Sequence, residues 1–311
     1  MNARDSRGQA AVMTILFLTV LLGMAALALD VGSWYREKRQ LQATADASAL
    51  AGAQMLPEST DDARALAIEY ANTKNGGSLD DSGITFSDGV TAHDTINVSL
   101  SAPAPGFFSK LFGLDTVTVG AHASARTANV KAALEVAPIV VNVNHPKLGC
   151  GGVCGGDAVL DLANLHDPKS RDAAGSFGLI NIDRDDNGSV GSQTLADWIR
   201  RGFDGWMYVN EDYSAVPSAK FNSSWVRDAL DDSIAEGDVL LFPIYDKLTG
   251  PGDNAIYHIV AWVGYRVTSY RATGDTAVLH GEFTRRITIG QQVTSGDSVP
   301  DYGVRAVQLV N

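Results

Sequence analysis

The sequence predicts an α+β protein carried on an N-terminal transmembrane helix, which runs on as a helical stalk into a small α+β module and then a mainly β C-terminal domain. Three observations predict it. Residues 10–29 hold no charge. Residues 31–55 hold no proline and only two glycines, Gly32 and Gly52, so the helix has no reason to stop at the membrane surface. Beyond Pro57 the pattern changes to short alternating or β-branched runs separated by Gly, Pro, Asn and Asp.

The apolar segment comes first. A bilayer core about 30 Å thick takes roughly 20 residues at about 1.5 Å each, and residues 10–29 supply that length. Ten of them are Val, Ile, Leu or Phe, enough to outweigh Thr14 and Thr19. The rival is a cleaved signal peptide, with Arg4 and Arg7 as its basic start and Ala26-Leu27-Ala28 as its cleavage triplet. Its core would normally be shorter than this one, and the helical pattern here continues past the triplet without a break. We therefore expect residues 1–9 to form a cytoplasmic tail and 10–29 a retained span. Arg4, Arg7 and the amino terminus nearly balance Arg36, Lys38 and Arg39 on the other side, so charge alone does not orient it.

The stalk, residues 30–56, follows. Trp34, Tyr35 and Arg36 stand where amphipathic and basic side chains favour the headgroup level, and we assign them as membrane-interface anchors. Leu41, Ala45, Ala49 and Gly52 recur at helical spacing and make a narrow helix-packing seam. Two occupants suit it: the protein's own domain, or a helix of another protein.

Arg7-Gly8-Gln9-Ala10, the span, Leu29-Asp30-Val31-Gly32, Trp34-Tyr35, Arg39-Gln40-Leu41-Gln42 and the run from Ala45 to Ala53 together resemble the N-terminal domain of TadG-like Flp pilus-assembly proteins, over residues 7–53. The resemblance implies a single-pass protein of the bacterial inner membrane. Its N-terminus would lie inside and its bulk outside, with other Tad/Flp pilus assembly proteins and the lipid bilayer as partners. A type IV pilin would place a glutamate five residues after its cleaved glycine, but Met13 stands there after Gly8. The von Willebrand A domain of longer relatives needs Asp-x-Ser-x-Ser, and Asp46-Ala47-Ser48-Ala49-Leu50 departs from it.

Residues 57–130 are read as the small module. Ser59 or Thr60 caps a helix over 61–74 that closes at Asn75-Gly76-Gly77. Strands follow at 84–86, 95–101 and 116–125, with a short helix over 107–113 between the last two. In the C-terminal domain, residues 135–311, strands are expected at 136–143, 238–245, 257–268, 276–283 and 304–310, and short helices at 193–201 and 225–232.

Composition and motifs narrow the chemistry. Hydrophobic residues at 45% and charged residues at 19% exclude general disorder. The net charge of -12 opposes a phosphate-binding face, so no nucleic-acid partner is expected. Cys150 and Cys154, set among glycines, suit a local structural disulfide outside the cytoplasm; a redox pair or a metal site are the other readings. Asp183, Asp185 and Asn187 open like a calcium loop, but Thr194 occupies the twelfth position where glutamate belongs, so an acidic turn is preferred and no metal is assigned. Residues 237–242 followed by His258-Ile259-Val260-Ala261-Trp262 look superficially like the later strands of NlpC-type cysteine peptidases. Neither cysteine lies in the helix-start setting such a nucleophile needs.

The reading is a membrane-anchored, non-enzymatic component of Flp/Tad-type pilus assembly or the associated secretion machinery, with no catalytic residue and no cofactor. The alternatives are a membrane-tethered NlpC-like cell-wall peptidase, and an anchored cell-surface protein unrelated to pili.

Overall fold

The computed structural model describes residues 3–148, 155–163, 169, 173–184, 190–250, 252–274, 276–294 and 297–310. It is α+β, and its contacts divide it into two compact units: residues 1–126 with 308–311, and residues 127–307. The sequence reading put residues 127–130 in the first module and 308–311 in the second domain. Both breaks fall inside single strands, where no change of composition marks them.

In the first unit, α1 (Ala3–Ala53) is one helix of 51 residues, about 77 Å long at 1.5 Å per residue. It stops four residues before Pro57, whose ring would collide with the Ala53 carbonyl if the helix went on. Ser59 then caps α2 (Thr60–Glu69) by accepting a hydrogen bond from the Asp62 amide at 3.1 Å. Asp61 and Asp62 favour the positive end of this helix. The helix expected through Lys74 finishes as a π turn, Tyr70–Lys74, and Gly76, at a φ of 65°, turns the chain away.

The strands β1 (Ile84–Ser87), β2 (Thr95–Pro105) and β3 (Thr116–Ala133) pair antiparallel in sequence order. The strand expected over 95–101 runs on through Pro103-Ala104-Pro105. Pairing with β1 covers only residues 95–98 of β2, so the prolines lie where one side of the strand has no partner needing a donor. Ile96, Val98, Leu100 and Ala104 turn one face inward, and α1 and α2 pack with this sheet as a small core.

The second unit is mainly β. Its strands include β4 (Ile139–Asn142), β5 (Asp157–Leu162), β6 (Ser176–Ile180), β7 (Met207–Tyr208) and β8 (Glu211–Val216). They continue with β9 (Leu240–Thr249), β10 (Ile256–Thr273), β11 (Thr276–Thr284), β12 (Arg286–Ile287), β13 (Gly290–Gln292) and β14 (Val304–Val310). Its helices are α3 (Ser192–Arg201) and α4 (Ser224–Glu236), the latter capped by Ser223 and ended by Gly237 at a φ of 73°.

Pairings run β11–β5–β6–β4–β9–β10 and return to β11, closing a ring of six strands. Closure removes the unpaired edges of an open sheet. Within the ring, β4 with β9 and β5 with β6 are parallel. Along β4, β9 and β10, successive side chains enter different clusters. Ile139, Val141, Phe242, Ile244, Val263 and Tyr265 join the one that α3 and α4 cover. Val140, Leu241, Tyr245, Tyr257 and Trp262 join the other. The two clusters explain why these strands read as unbroken apolar runs.

Candidate functional site

The first 20 apolar residues of α1 have no place in either core. Val12, Phe17 and Leu22 are each about 60% exposed, and α1 is the one described helix long and apolar enough to cross a membrane. An unbroken apolar surface on that scale marks a lipid or partner contact, which suggests single-pass anchoring.

Where that surface ends, the chain makes a collar. Asp30 is the first charge after the span and is only 1% exposed. Its carboxylate accepts hydrogen bonds from the amides of Phe107 at 2.8 Å, Phe108 at 3.1 Å and Ser109 at 2.6 Å. These amides lead into the 3-10 turn Ser109–Phe112, whose opening N–H groups lack partners in the turn itself, so an aspartate on α1 caps it from about 78 residues away in sequence. Gly106 permits the approach: a Cβ there would lie 1.8 Å from Ser109 Oγ and 2.9 Å from the Leu114 carbonyl oxygen. Gly113, at a φ of 79°, closes the turn.

One turn of α1 further on, Trp34 Nε1 donates to the Pro105 carbonyl at 3.2 Å. Tyr35 and Arg36 are exposed. Of the three residues expected at the interface, Trp34 ties β2 to α1. Gln42 donates from Nε2 to Asp46 Oδ1 and to the His122 carbonyl, each at 2.8 Å, a second tie between helix and sheet.

The seam lies beyond. Leu41 is 6% exposed, Ala45 and Ala49 are fully buried, and Gly52 is buried with them. A Cβ on Gly52 would stand 2.7 Å from Ile96 Cδ1, 2.8 Å from the Ala63 carbonyl oxygen and 3.2 Å from Ala67 Cβ. Of the two occupants considered, the chain's own β2 and α2 fill this face. A helical spacing names a face but not what covers it.

In the second unit only some of the sequence candidates fall among the described residues. His258 Nδ1 lies 2.8 Å from Asp212 Oδ1 as a cross-strand pair of β10 and β8, with Asp212 66% exposed. Cys150 and Cys154 lie outside the described residues, as do Asp185 and Asn187. Asp183 is described, and its amide donates to Asn181 Oδ1 at 3.0 Å. Among the described residues no three His, Cys, Asp or Glu side chains cluster to hold a metal ion. A cavity of about 220 Å³ is lined by Glu135, Trp198, Arg201, Asp238 and Arg286. Arg286 is spoken for within it, donating to the Val239 carbonyl and to Glu135 Oε2.

Sequence reasoning passed over Asp30 as a site. A signal was present, since a carboxylate at the edge of an apolar run is costly unless something satisfies it.

Compared with known protein families, residues 8–55 match the family described as putative Flp pilus-assembly TadE/G-like. No curated protein and no solved structure matches the chain. The match starts beside the apolar span, contains Asp30 and the whole seam, and ends two residues after α1 does. It supports involvement in Flp/Tad pilus assembly.

Proposed function

We propose that the chain is a membrane-anchored, non-enzymatic component of the Flp/Tad pilus assembly machinery, held in the bacterial inner membrane with its N-terminus in the cytoplasm and both folded units outside. One observation carries the reading: the family match lies almost wholly on a single helix that leaves an apolar surface bare for a bilayer and then docks on its own sheet. The helix supplies the anchor and the collar fixes the emerging domain to it. The units beyond present surface to other assembly proteins, so the chemistry is binding. On this reading Cys150 and Cys154 form a structural disulfide, and His258 pairs with Asp212 as an ordinary surface contact.

The test is deletion of the gene in its host with complementation, scored by counting pili in electron micrographs. Pili should be lost on deletion and return with the full chain. They should also return with His258→Ala and with Cys150→Ser, and should stay absent when residues 8–55 are exchanged for an unrelated membrane helix. Normal piliation after deletion would refute the assignment. Failure of the His258→Ala variant, together with loss of a wall-peptide cleavage activity, would favour the peptidase instead.

A further inference from the structure

We infer that the turn over residues 106–114 is a second membrane contact, in which Phe107 and Phe108 enter the boundary between headgroups and hydrocarbon of the leaflet where the α1 span ends. The inference rests on the anchored reading of α1. Depth is its first support. Twenty uncharged residues at about 1.5 Å each span the hydrocarbon, so Asp30 falls at its edge. The hydrogen bonds from residues 107–109 to the Asp30 carboxylate, at 2.6 to 3.2 Å, hold the turn at that same level.

The second support is what the turn displays. Phe107 is 64% exposed, Phe108 41% and Leu114 54%. Single exposed apolar side chains are ordinary on any protein. Here three stand within eight residues, on a turn bonded to Asp30, the first residue after the apolar span. Tyr35 on α1 is exposed at 61%, and aromatic rings of this kind concentrate at the membrane interface. Lys110 is exposed on the same turn, where its ammonium can meet lipid phosphate.

The third support is that the backbone is prepared for a poorly hydrated setting. The amides of residues 107–109 are bonded to Asp30. Gly106 donates to the Asp115 carbonyl at 3.0 Å, Gly113 to that of Lys110 at 3.0 Å, and Leu114 to that of Ser109 at 3.1 Å. Backbone groups near hydrocarbon must find protein partners because water is scarce there. This also gives Asp30 a role: it satisfies the three amides that would otherwise bar the turn from the interface.

The test places the photoreactive residue benzoyl-phenylalanine, one site at a time, at Phe107, at Phe17 within the span and at Ala92. Ala92 lies in the exposed loop at the other end of β2. The full-length chain is reconstituted in vesicles of phosphatidylethanolamine and phosphatidylglycerol, irradiated and analysed by mass spectrometry. Lipid adducts are expected at positions 107 and 17 and not at 92. Adducts at 17 without adducts at 107 would overturn the second contact and leave the anchor standing. Absence at 17 would overturn both. Crosslinks from 107 to protein in place of lipid would reassign the turn as a protein interface. Adding Asp30→Asn to the Phe107 probe should lower the lipid adducts at 107 while those at 17 persist, and an unchanged yield would overturn the role given to Asp30.

Discussion

Replacing Gly52 by alanine sets two effects against each other. Alanine is favoured over glycine in a helix by up to about 1 kcal/mol, the upper limit for Gly52 as the last residue but one of α1, so helix propensity alone says the variant is more stable. Packing says the opposite. The new methyl would stand 2.7 Å from Ile96 Cδ1 and 2.8 Å from the Ala63 carbonyl oxygen. The isoleucine tip can rotate away. The carbonyl belongs to the first turn of α2 and moves only if that helix moves. Overpacking costs about 1–3 kcal/mol, and a backbone obstacle puts this site in the upper half of that range. The net loss is then about 1–2 kcal/mol, equivalent to a factor of about 5–30 in a local opening equilibrium. Hydrogen exchange read by mass spectrometry on the full chain in detergent should show α2 and β2 amides exchanging faster by that factor. Gly32→Ala is the control, because a Cβ there meets nothing within 4 Å, and it should leave α2 and β2 protected. If Gly52→Ala protects these elements as well as the native residue or better, the seam is not packed as described.

Two further outcomes follow from the second unit. Trp262 is 2% exposed and its Nε1 donates to the Val130 carbonyl at 2.9 Å. Trp262→Phe strands that buried acceptor and should cost at least about 1–3 kcal/mol in urea denaturation; a smaller loss would mean that the bond contributes little. His145 is 5% exposed, and burial pushes its pKa below the usual value of 6.5, helped by the Lys147 charge and opposed by its hydrogen bond to the Val159 carbonyl. The folded form therefore binds fewer protons than the unfolded chain, so this contribution to stability is complete above about pH 6.5 and is lost as the pH falls from there toward the lowered value. Melting temperatures of the native chain should drop over that interval, and a His145→Gln variant should show a shallower dependence. Parallel curves for the two proteins would refute it.

Some features needed only the chain's own order. An uncharged run of bilayer length, the absence of helix breakers through Ala53, the Ser59 cap and the strand at Val304–Val310 are local facts. They depend on backbone sterics and on side chains a few residues apart, and they were legible for that reason, as was the resemblance carried by residues 7–53. Short strands without strong alternation, such as β6 and β8, escaped notice because their burial comes from neighbours distant in sequence.

Tertiary structure decided the rest. Helical spacing singled out Leu41, Ala45, Ala49 and Gly52, yet only the fold shows that Ile96, Ala63 and Ala67 sit against Gly52. Asp30 looked like the first polar residue after a span, and its function as a cap depends on amides of residues 107–109. The ring of strands closes when β11 pairs with both β5 and β10, a property of pairing and not of any one strand. Periodicity reports which face of an element is apolar. Which surface meets that face is settled by long-range contacts, whose energies depend on distances that sequence order does not contain.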